Sequence, residues 1–169
     1  MILSNQKKNI HRNESTLSQG NVLLIETLQS RSSILKKTLL EFGYNIAQHV
    51  PLNTDLIAQV NTFQPDMLIL ATDLPSEAML NTLAEINKLL PLPIIIFAEH
   101  DSPNLIKAAI KSGVSAYIVS EIIPQRLNSI ISVANERFKA EQALRKELKK
   151  AKNQLESRKY MNKHLQFLK

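Results

Sequence analysis

The chain has 169 residues, of which 44% are hydrophobic, which is enough for one domain of ordinary size with a packed core. It contains no cysteine, which excludes a disulfide framework, a thiolate metal site and a thiol nucleophile, and this composition predicts a cytoplasmic setting. The net charge of +6 is uneven, because residues 21–135 carry seven basic and ten acidic residues whereas residues 136–169 carry eleven basic and four acidic ones.

The first segment, residues 1–20, is polar and lacks the apolar run that a secretory signal needs. We expect it to be a disordered lead. The most apolar stretch of the chain, residues 89–98, is too short to cross a bilayer and contains two prolines. The sequence therefore predicts no membrane helix.

Five short apolar runs alternate with segments of helical periodicity. Their nearly continuous Val, Leu and Ile content is typical of parallel strands that are buried on both faces. The runs are residues 22–25, 44–50, 67–70, 94–97 and 116–119. This alternation predicts an α/β fold, a doubly wound, five-stranded parallel sheet of flavodoxin-like order.

The first two helices have recognisable start and stop signals. Ser30 and Arg31 open the first helix, and Gly43 follows it where a left-handed cap is needed. Asn53 or Thr54 is expected to cap the second. The positions predicted to face inward on these helices are Ile34, Leu35, Thr38, Leu39, Phe42, Leu56, Ile57 and Val60.

The later helices have equally clear signals. Ser76 can cap the third helix, which turns Met79, Leu80, Leu83 and Ile86 inward. Ser102 before Pro103 starts the fourth helix, and Gly113 ends it. Pro124 opens the fifth.

The fifth helix is predicted to run far beyond the domain, because no glycine or proline follows Pro124. Near its start, Leu127, Ile130 and Ala134 are expected to pack on the sheet. We place the domain at residues 21–135 and the helical extension at residues 136–169.

The extension has a leucine seam. Leu144, Leu148, Ala151 and Leu155 follow steps of four and three residues, which predicts a coiled coil and a homodimer. The same register continues through polar positions, namely Arg137, Glu141, Arg158 and Asn162, so pairing is expected to be weak or confined to the centre. A frayed single helix on its own domain is the alternative.

Three segments resemble the receiver domains of response regulators, over roughly residues 21–135. "VLLIET" resembles the strand that ends in an acidic pair, "PDMLILATDLP" the strand that delivers the phospho-acceptor aspartate, and "GVSAYIVSEIIP" the last strand with its switch aromatic and lysine. The resemblance implies a CheY-like fold and a phosphorylation site at the carboxyl edge of the sheet.

The resemblance also implies that this site has lost its main groups. The acceptor position is Ala71, and the acidic pair is reduced to Glu26 beside Thr27. The hydroxyl position at the end of the fourth strand is Ala98, and the lysine position is Ser120.

Two further positions complete this degenerate receiver pocket. Tyr117 keeps the residue type of the switch aromatic, although a packing role is equally compatible with it. Asp73 follows the acceptor position by two residues and is interpreted as a turn or cap aspartate rather than a substitute acceptor. Since a nucleophile, a magnesium site and a cation are all needed for phosphoryl transfer, we expect no phosphorylation.

Other catalytic chemistry is not indicated. A carboxylate cluster of Glu26, Asp73, Glu99 and Asp101 could hold a divalent cation, but solvated loop acids are commoner. The four histidines have no metal-ligand spacing, and no nucleophile elbow or phosphate loop is present. We predict a protein without enzymatic activity, metal or cofactor.

The tail narrows the resemblance. "GVSAYIVSEIIPQRL" followed by "ERFKAEQALRKELKKAKNQLESRK" resembles the linker of ANTAR-type antitermination regulators of nitrate-assimilation and amidase operons. In that family a receiver or pseudo-receiver is joined through a coiled coil to a three-helix RNA-binding domain. The likeness ends at Lys159, and the remaining "YMNKHLQFLK" is expected to be a truncated start of that domain, in either a truncated relative or a fragment.

The sequence therefore predicts a phosphorylation-independent signalling protein related to transcription antiterminators. Its pseudo-receiver would bind a sensor or regulatory protein while its helix dimerises. The alternative is binding of leader RNA through the basic helix, with phosphate contacts from Lys149, Lys150, Lys152, Arg158 and Lys159.

Overall fold

A computed structural model describes residues 19–26, 29–51 and 54–167 of the chain. Nearly all of the expected disordered lead, and Thr27 and Asn53, lie outside the described residues.

The described residues form a five-stranded parallel sheet with helices on both faces. The strand order is β2-β1-β3-β4-β5, so the predicted doubly wound α/β fold is confirmed. In chain order the elements are β1 (Gly20–Glu26), α1 (Gln29–Glu41), β2 (Tyr44–Pro51), α2 (Leu56–Phe63), β3 (Met67–Thr72), α3 (Glu77–Leu89), β4 (Ile94–Ala98), α4 (Pro103–Lys111), β5 (Ala116–Val119) and α5 (Pro124–Phe167).

The core consists of two layers, one on each face of the sheet. Because successive strand residues point to opposite faces, β1 contributes Leu23 and Ile25 to the layer under α2, α3 and α4. Its Val22 and Leu24 enter the layer under α1 and α5. All four side chains are completely buried, as the continuous apolar run predicted for a strand covered on both sides.

Helix α2 begins later than its cap was expected. Its first residue is Leu56 and its N-cap is Asp55, rather than the expected Asn53 or Thr54. The Asp55 carboxylate accepts a hydrogen bond of 3.2 Å from the backbone N–H of Ala58.

The serine residues predicted to start α3 and α4 differ in whether their side chains cap the helix. Ser76 caps α3 as predicted, and its hydroxyl oxygen accepts a hydrogen bond of 3.1 Å from the Met79 N–H. Ser102 stands at the cap position of α4 but makes no side-chain cap bond, so Pro103 at the first turn is the local start signal.

Helix α5 runs for 44 residues, and only its first part packs on the sheet. The residues that α5 buries are Leu127, Ile131 and Ala134, whereas the predicted Ile130 is only half-buried. The three buried residues are separated by four and three positions, which places them on one stripe of the helix. Leu127, Ile130 and Ala134 are separated by three and four positions, so the sequence pattern fits either isoleucine. Similarly, Ile34 on α1 is largely exposed although it was expected to face inward.

None of the helices among the described residues combines the length and the apolar character needed to span a membrane.

Two glycines provide a matched test of backbone strain and packing. Gly43 and Gly113 have φ of 84° and 89°, a region that costs an L-residue about 1–2 kcal/mol. A methyl group at residue 43 would meet only Gln19 Cγ at 3.6 Å, whereas one at residue 113 would overlap the amide of the buried Asn87.

We therefore expect Gly43→Ala to lower the free energy of unfolding by about 1–2 kcal/mol and Gly113→Ala to lower it further. Urea denaturation of the two variants beside the parent protein measures the difference. Equal losses would contradict the close packing of Asn87 against this turn.

Candidate functional site

The carboxyl ends of the parallel strands bring several of the predicted pocket residues to one edge of the sheet. Glu26 at the end of β1 is paired with Ala71 on β3, and Ala71 is paired with Phe97 on β4. Ala71 and Ala98 are completely buried, and Glu26 is nearly so. Since methyl groups offer neither a nucleophile nor a metal ligand, the centre of this edge is closed by apolar atoms.

Asp73 lies just beyond β3 and contacts His100 in the loop after β4. Its Oδ1 is 2.6 Å from His100 Nδ1, a distance at which a protonated ring nitrogen donates a short charge-assisted hydrogen bond. Both side chains are largely exposed, so solvent screens the pair. The sequence did not indicate this contact, because the partners lie far apart in the chain and only the parallel sheet brings their loops together.

Backbone hydrogen bonds also join the two loops. The N–H groups of Glu99 and His100 each donate to the Asp73 carbonyl at 3.1 Å, and Glu99 N–H also lies 3.3 Å from the Thr72 carbonyl. Asp73 thus lies in the bend after β3 and does not cap α3, since Ser76 does so. Its side chain and its carbonyl both hold the loop after β4.

The residues that could hold a cation at this edge are Asp73, Glu99 and His100. One ligand atom from each lies within 4.8 Å of the others, and all three residues are exposed. This set differs from the carboxylate cluster considered from the sequence, because His100 joins Asp73 and Glu99, whereas Glu26 and Asp101 are not part of it. Two carboxylates and an imidazole are donors that a borderline cation such as Zn²⁺ accepts.

Tyr117 on β5 contacts the same loop. Its hydroxyl lies 3.5 Å from the His100 carbonyl, to which it donates a long hydrogen bond. Burial raises the pKa of the Tyr117 hydroxyl above its ordinary value, and the nearby Asp101 carboxylate raises it further. The switch-aromatic position is therefore half-buried against the β4–α4 loop.

Ser120 lies apart from this group. Its hydroxyl donates to the Glu121 carbonyl at 3.2 Å, and the side chain is exposed. A cleft of about 270 Å³ beside it is lined mainly by apolar side chains of β4, β5 and α5, including Phe97 and Ile118. Of the predicted pocket residues, Glu26 and Ala71 are thus strand partners at the buried edge, whereas Ala98 lies in the opposite core layer. Asp73 and Tyr117 both contact His100.

The outer part of α5 exposes both of the predicted residue sets. The seam leucines Leu144, Leu148 and Leu155 are 67%, 57% and 54% exposed in the single chain. The basic residues suggested for phosphate contacts are also exposed, namely Lys149, Lys150, Lys152, Arg158 and Lys159.

The sequence matches the family model of the response regulator receiver domain over residues 22–132. No curated protein matches the chain significantly.

Solved structures share the fold. The signal receiver domain of a putative LuxO repressor protein from Vibrio parahaemolyticus is 27% identical, with a TM-score of 0.61, over 74% of this chain and 96% of that one. The signal receiver domain of a modulated diguanylate cyclase from Desulfovibrio desulfuricans is 18% identical, with the same TM-score, over 72% and 98% of the two chains.

A third similar structure extends along the helix. It is a fusion that carries a trimeric coiled coil from a yeast protein, 18% identical with a TM-score of 0.59, and it covers 83% of this chain and 99% of that one.

The family match covers most of the described domain, and the sheet order and the helical layers agree with it. The chain therefore belongs to the response regulator receiver domain family.

Proposed function

We propose that this protein is a non-enzymatic pseudo-receiver that passes a signal by protein contact, independently of phosphorylation, and that dimerises through α5. The observation that carries the proposal is the buried Ala71 at the end of β3, where the family resemblance places the phospho-acceptor aspartate. An alanine methyl cannot attack a phosphoryl group.

The other groups that phosphoryl transfer needs are the magnesium ligands, a hydroxyl group and a cation. A receiver's magnesium needs several oxygen ligands, but Ala71 supplies none and the Glu26 side chain is buried in the described edge. The residues present therefore do not fit that ion. Ala98 offers no hydroxyl group at the end of β4. Likewise, Ser120 offers no ammonium group after β5.

A sensor or regulatory protein is the partner we propose for the domain. The group formed by the exposed Asp73 and His100 and the half-buried Tyr117 connects three consecutive strands of the sheet through one loop. A protein that binds this loop would contact side chains held by the sheet, so recognition would not require a covalent modification. This arrangement supports signalling by contact.

Dimerisation is supported by the exposed leucines of α5. An isolated helix is marginal in water, and burial of a leucine side chain contributes about 1.5–3 kcal/mol. In the single chain, Leu144, Leu148 and Leu155 have no such burial. A second copy that covers the seam would stabilise the helix beyond Ala134.

The relation to antiterminators rests on the resemblance of residues 113–127 and 136–159 to the ANTAR linker. Within this proposal, residues 21–135 form the pseudo-receiver and residues 136–169 the connecting helix. Leader-RNA binding by that helix is the second candidate function, favoured by its excess of exposed basic residues. Acidic residues interleave with the basic ones, which argues for weak, non-specific contact.

Phosphorylation provides the first test. Incubation of the protein with acetyl phosphate and Mg²⁺ should add no phosphoryl group, because residue 71 has no carboxylate. Intact-mass spectrometry measures the result beside a receiver that has the acceptor aspartate. A mass increase of one phosphoryl group would contradict the proposal, and its loss in Asp73→Asn would assign the acceptor to Asp73.

Sedimentation of matched charge variants tests the dimer. The parent chain should sediment at twice its mass of 19.1 kDa. Leu148→Lys should yield monomers, since it places an ammonium group in the seam. Asn153→Lys adds the same charge on the far side of α5 and should remain dimeric. A monomeric parent, or equal behaviour of the two variants, would argue against the seam.

A salt titration tests the RNA alternative. If the basic residues of α5 bind phosphates, affinity for an RNA hairpin should fall steeply between 50 and 200 mM salt, by roughly tenfold or more for several contacts. Fluorescence anisotropy with Lys149→Gln/Lys150→Gln as the comparison variant measures the slope. Absence of binding near physiological salt would exclude this function for the chain.

A further inference from the structure

We propose that the two copies pair antiparallel along α5, so that the end of each helix reaches the domain of the other copy. This inference rests on the proposed dimer and adds its orientation. The argument uses the charges of the extended seam, which we define as the exposed residues Arg137, Glu141, Leu144, Leu148, Ala151, Leu155, Arg158, Asn162 and Leu165.

Parallel pairing places identical seam residues opposite each other. In register, Arg137 would face Arg137 of the other copy, and the same holds for Glu141 and for Arg158. Three layers of the seam would thus bring like charges together while they lose water. Such layers are destabilising, because neither member of the pair compensates the other.

An antiparallel register removes these clashes. When Leu148 of one copy faces Ala151 of the other, Leu144 faces Leu155, and Glu141 faces Arg158. Arg137 then faces Asn162. Because the dimer is symmetric, Glu141 of each copy faces Arg158 of the other, so two layers join opposite charges. The steps of four and three residues remain in phase across the interface.

The charges beside the seam favour parallel pairing, but their effect is weaker than that of the charged layers within the seam. Parallel pairing would place Glu147 near Lys152 of the other copy, whereas antiparallel pairing places Arg145 near Lys152. Arg145 already has a partner, since it donates a hydrogen bond of 3.1 Å to Glu141 one turn earlier in the same helix. These flanking groups remain in water, where an ion pair contributes only about 0.2–1 kcal/mol.

The two ends of α5 also complement each other in the antiparallel register. Near the domain, Ile118, Ile130 and Val133 line a cleft of about 330 Å³. Ile130 precedes Leu148 by roughly five complete helical turns, so it lies on the seam side of α5. The cleft therefore continues the seam into the domain.

The far end of the helix carries exposed apolar side chains that could cover this region. Met161 and Leu165 are 59% and 58% exposed. In the antiparallel register Leu165 lies at the level of the buried Ala134 of the other copy, next to the exposed Val133 of the cleft, and Met161 lies near Ala140. In parallel pairing the same residues would lie roughly 45 Å along α5 from either domain.

Disulfide formation between single-cysteine variants tests the orientation, because the natural chain has no cysteine that could interfere. We expect an oxidised mixture of Leu144→Cys and Leu155→Cys proteins of different mass to form the mixed disulfide. Each variant alone should form none, since two copies of residue 144 would be about 16 Å apart, beyond the ~7 Å limit of Cα separation.

The opposite pattern would overturn the inference. Disulfides in each variant alone, without the mixed species, indicate parallel pairing and leave the dimer intact. No disulfide in any sample, together with a monomer in sedimentation, would overturn both the orientation and the proposed dimer.

A charge exchange provides an independent readout. Glu141→Arg should weaken the dimer about tenfold or more, because two attractive layers become repulsive. Adding Arg158→Glu should restore the affinity if the layers are antiparallel. In a parallel dimer the second substitution still leaves like charges in each layer, so an unrestored dimer would contradict the proposal.

Discussion

The complete burial of the central strands determines most of this architecture. β1, β3 and β4 have apolar side chains on both faces, so helices must cover the sheet on each side. Parallel strands place their carboxyl ends at one edge, and the loops after β3 and β4 therefore meet there. For the same reason, α5 must cover the part of this sheet face that α1 does not cover. It does so with Leu127, Ile131 and Ala134.

Apolar packing extends along the carboxyl edge of the sheet. Ala71 belongs to the core layer under α1 and α5, and Ala98 belongs to the opposite layer. A carboxylate and a hydroxyl at these positions would have to remain in contact with water or with a cation. The methyl groups present there join the edge to the core, and the polar contacts lie further out, at Asp73, His100 and Tyr117.

A single helix connects two different environments. The first part of α5 is stabilised by the sheet, whereas residues 143–167 are all exposed in one copy of the chain. If a second copy covers the seam, the free energy that stabilises the outer helix comes from association, so the helix and the dimer would form together. Orientation is then decided by the polar layers, since the leucines alone would tolerate either direction.

Local patterns determined the strands, the helical starts at Ser76 and Pro103 and the length of α5, because burial on two faces, proline geometry and the absence of helix breakers act within short segments. They could not separate Asp55 from its neighbours as a cap, nor Ile131 from Ile130 as a core residue, since each choice depends on where the sheet lies. The contact of Asp73 with His100 had no signal in the chain. Only the parallel order of β3 and β4 brings those two loops to one edge, and this order is a property of the assembled sheet.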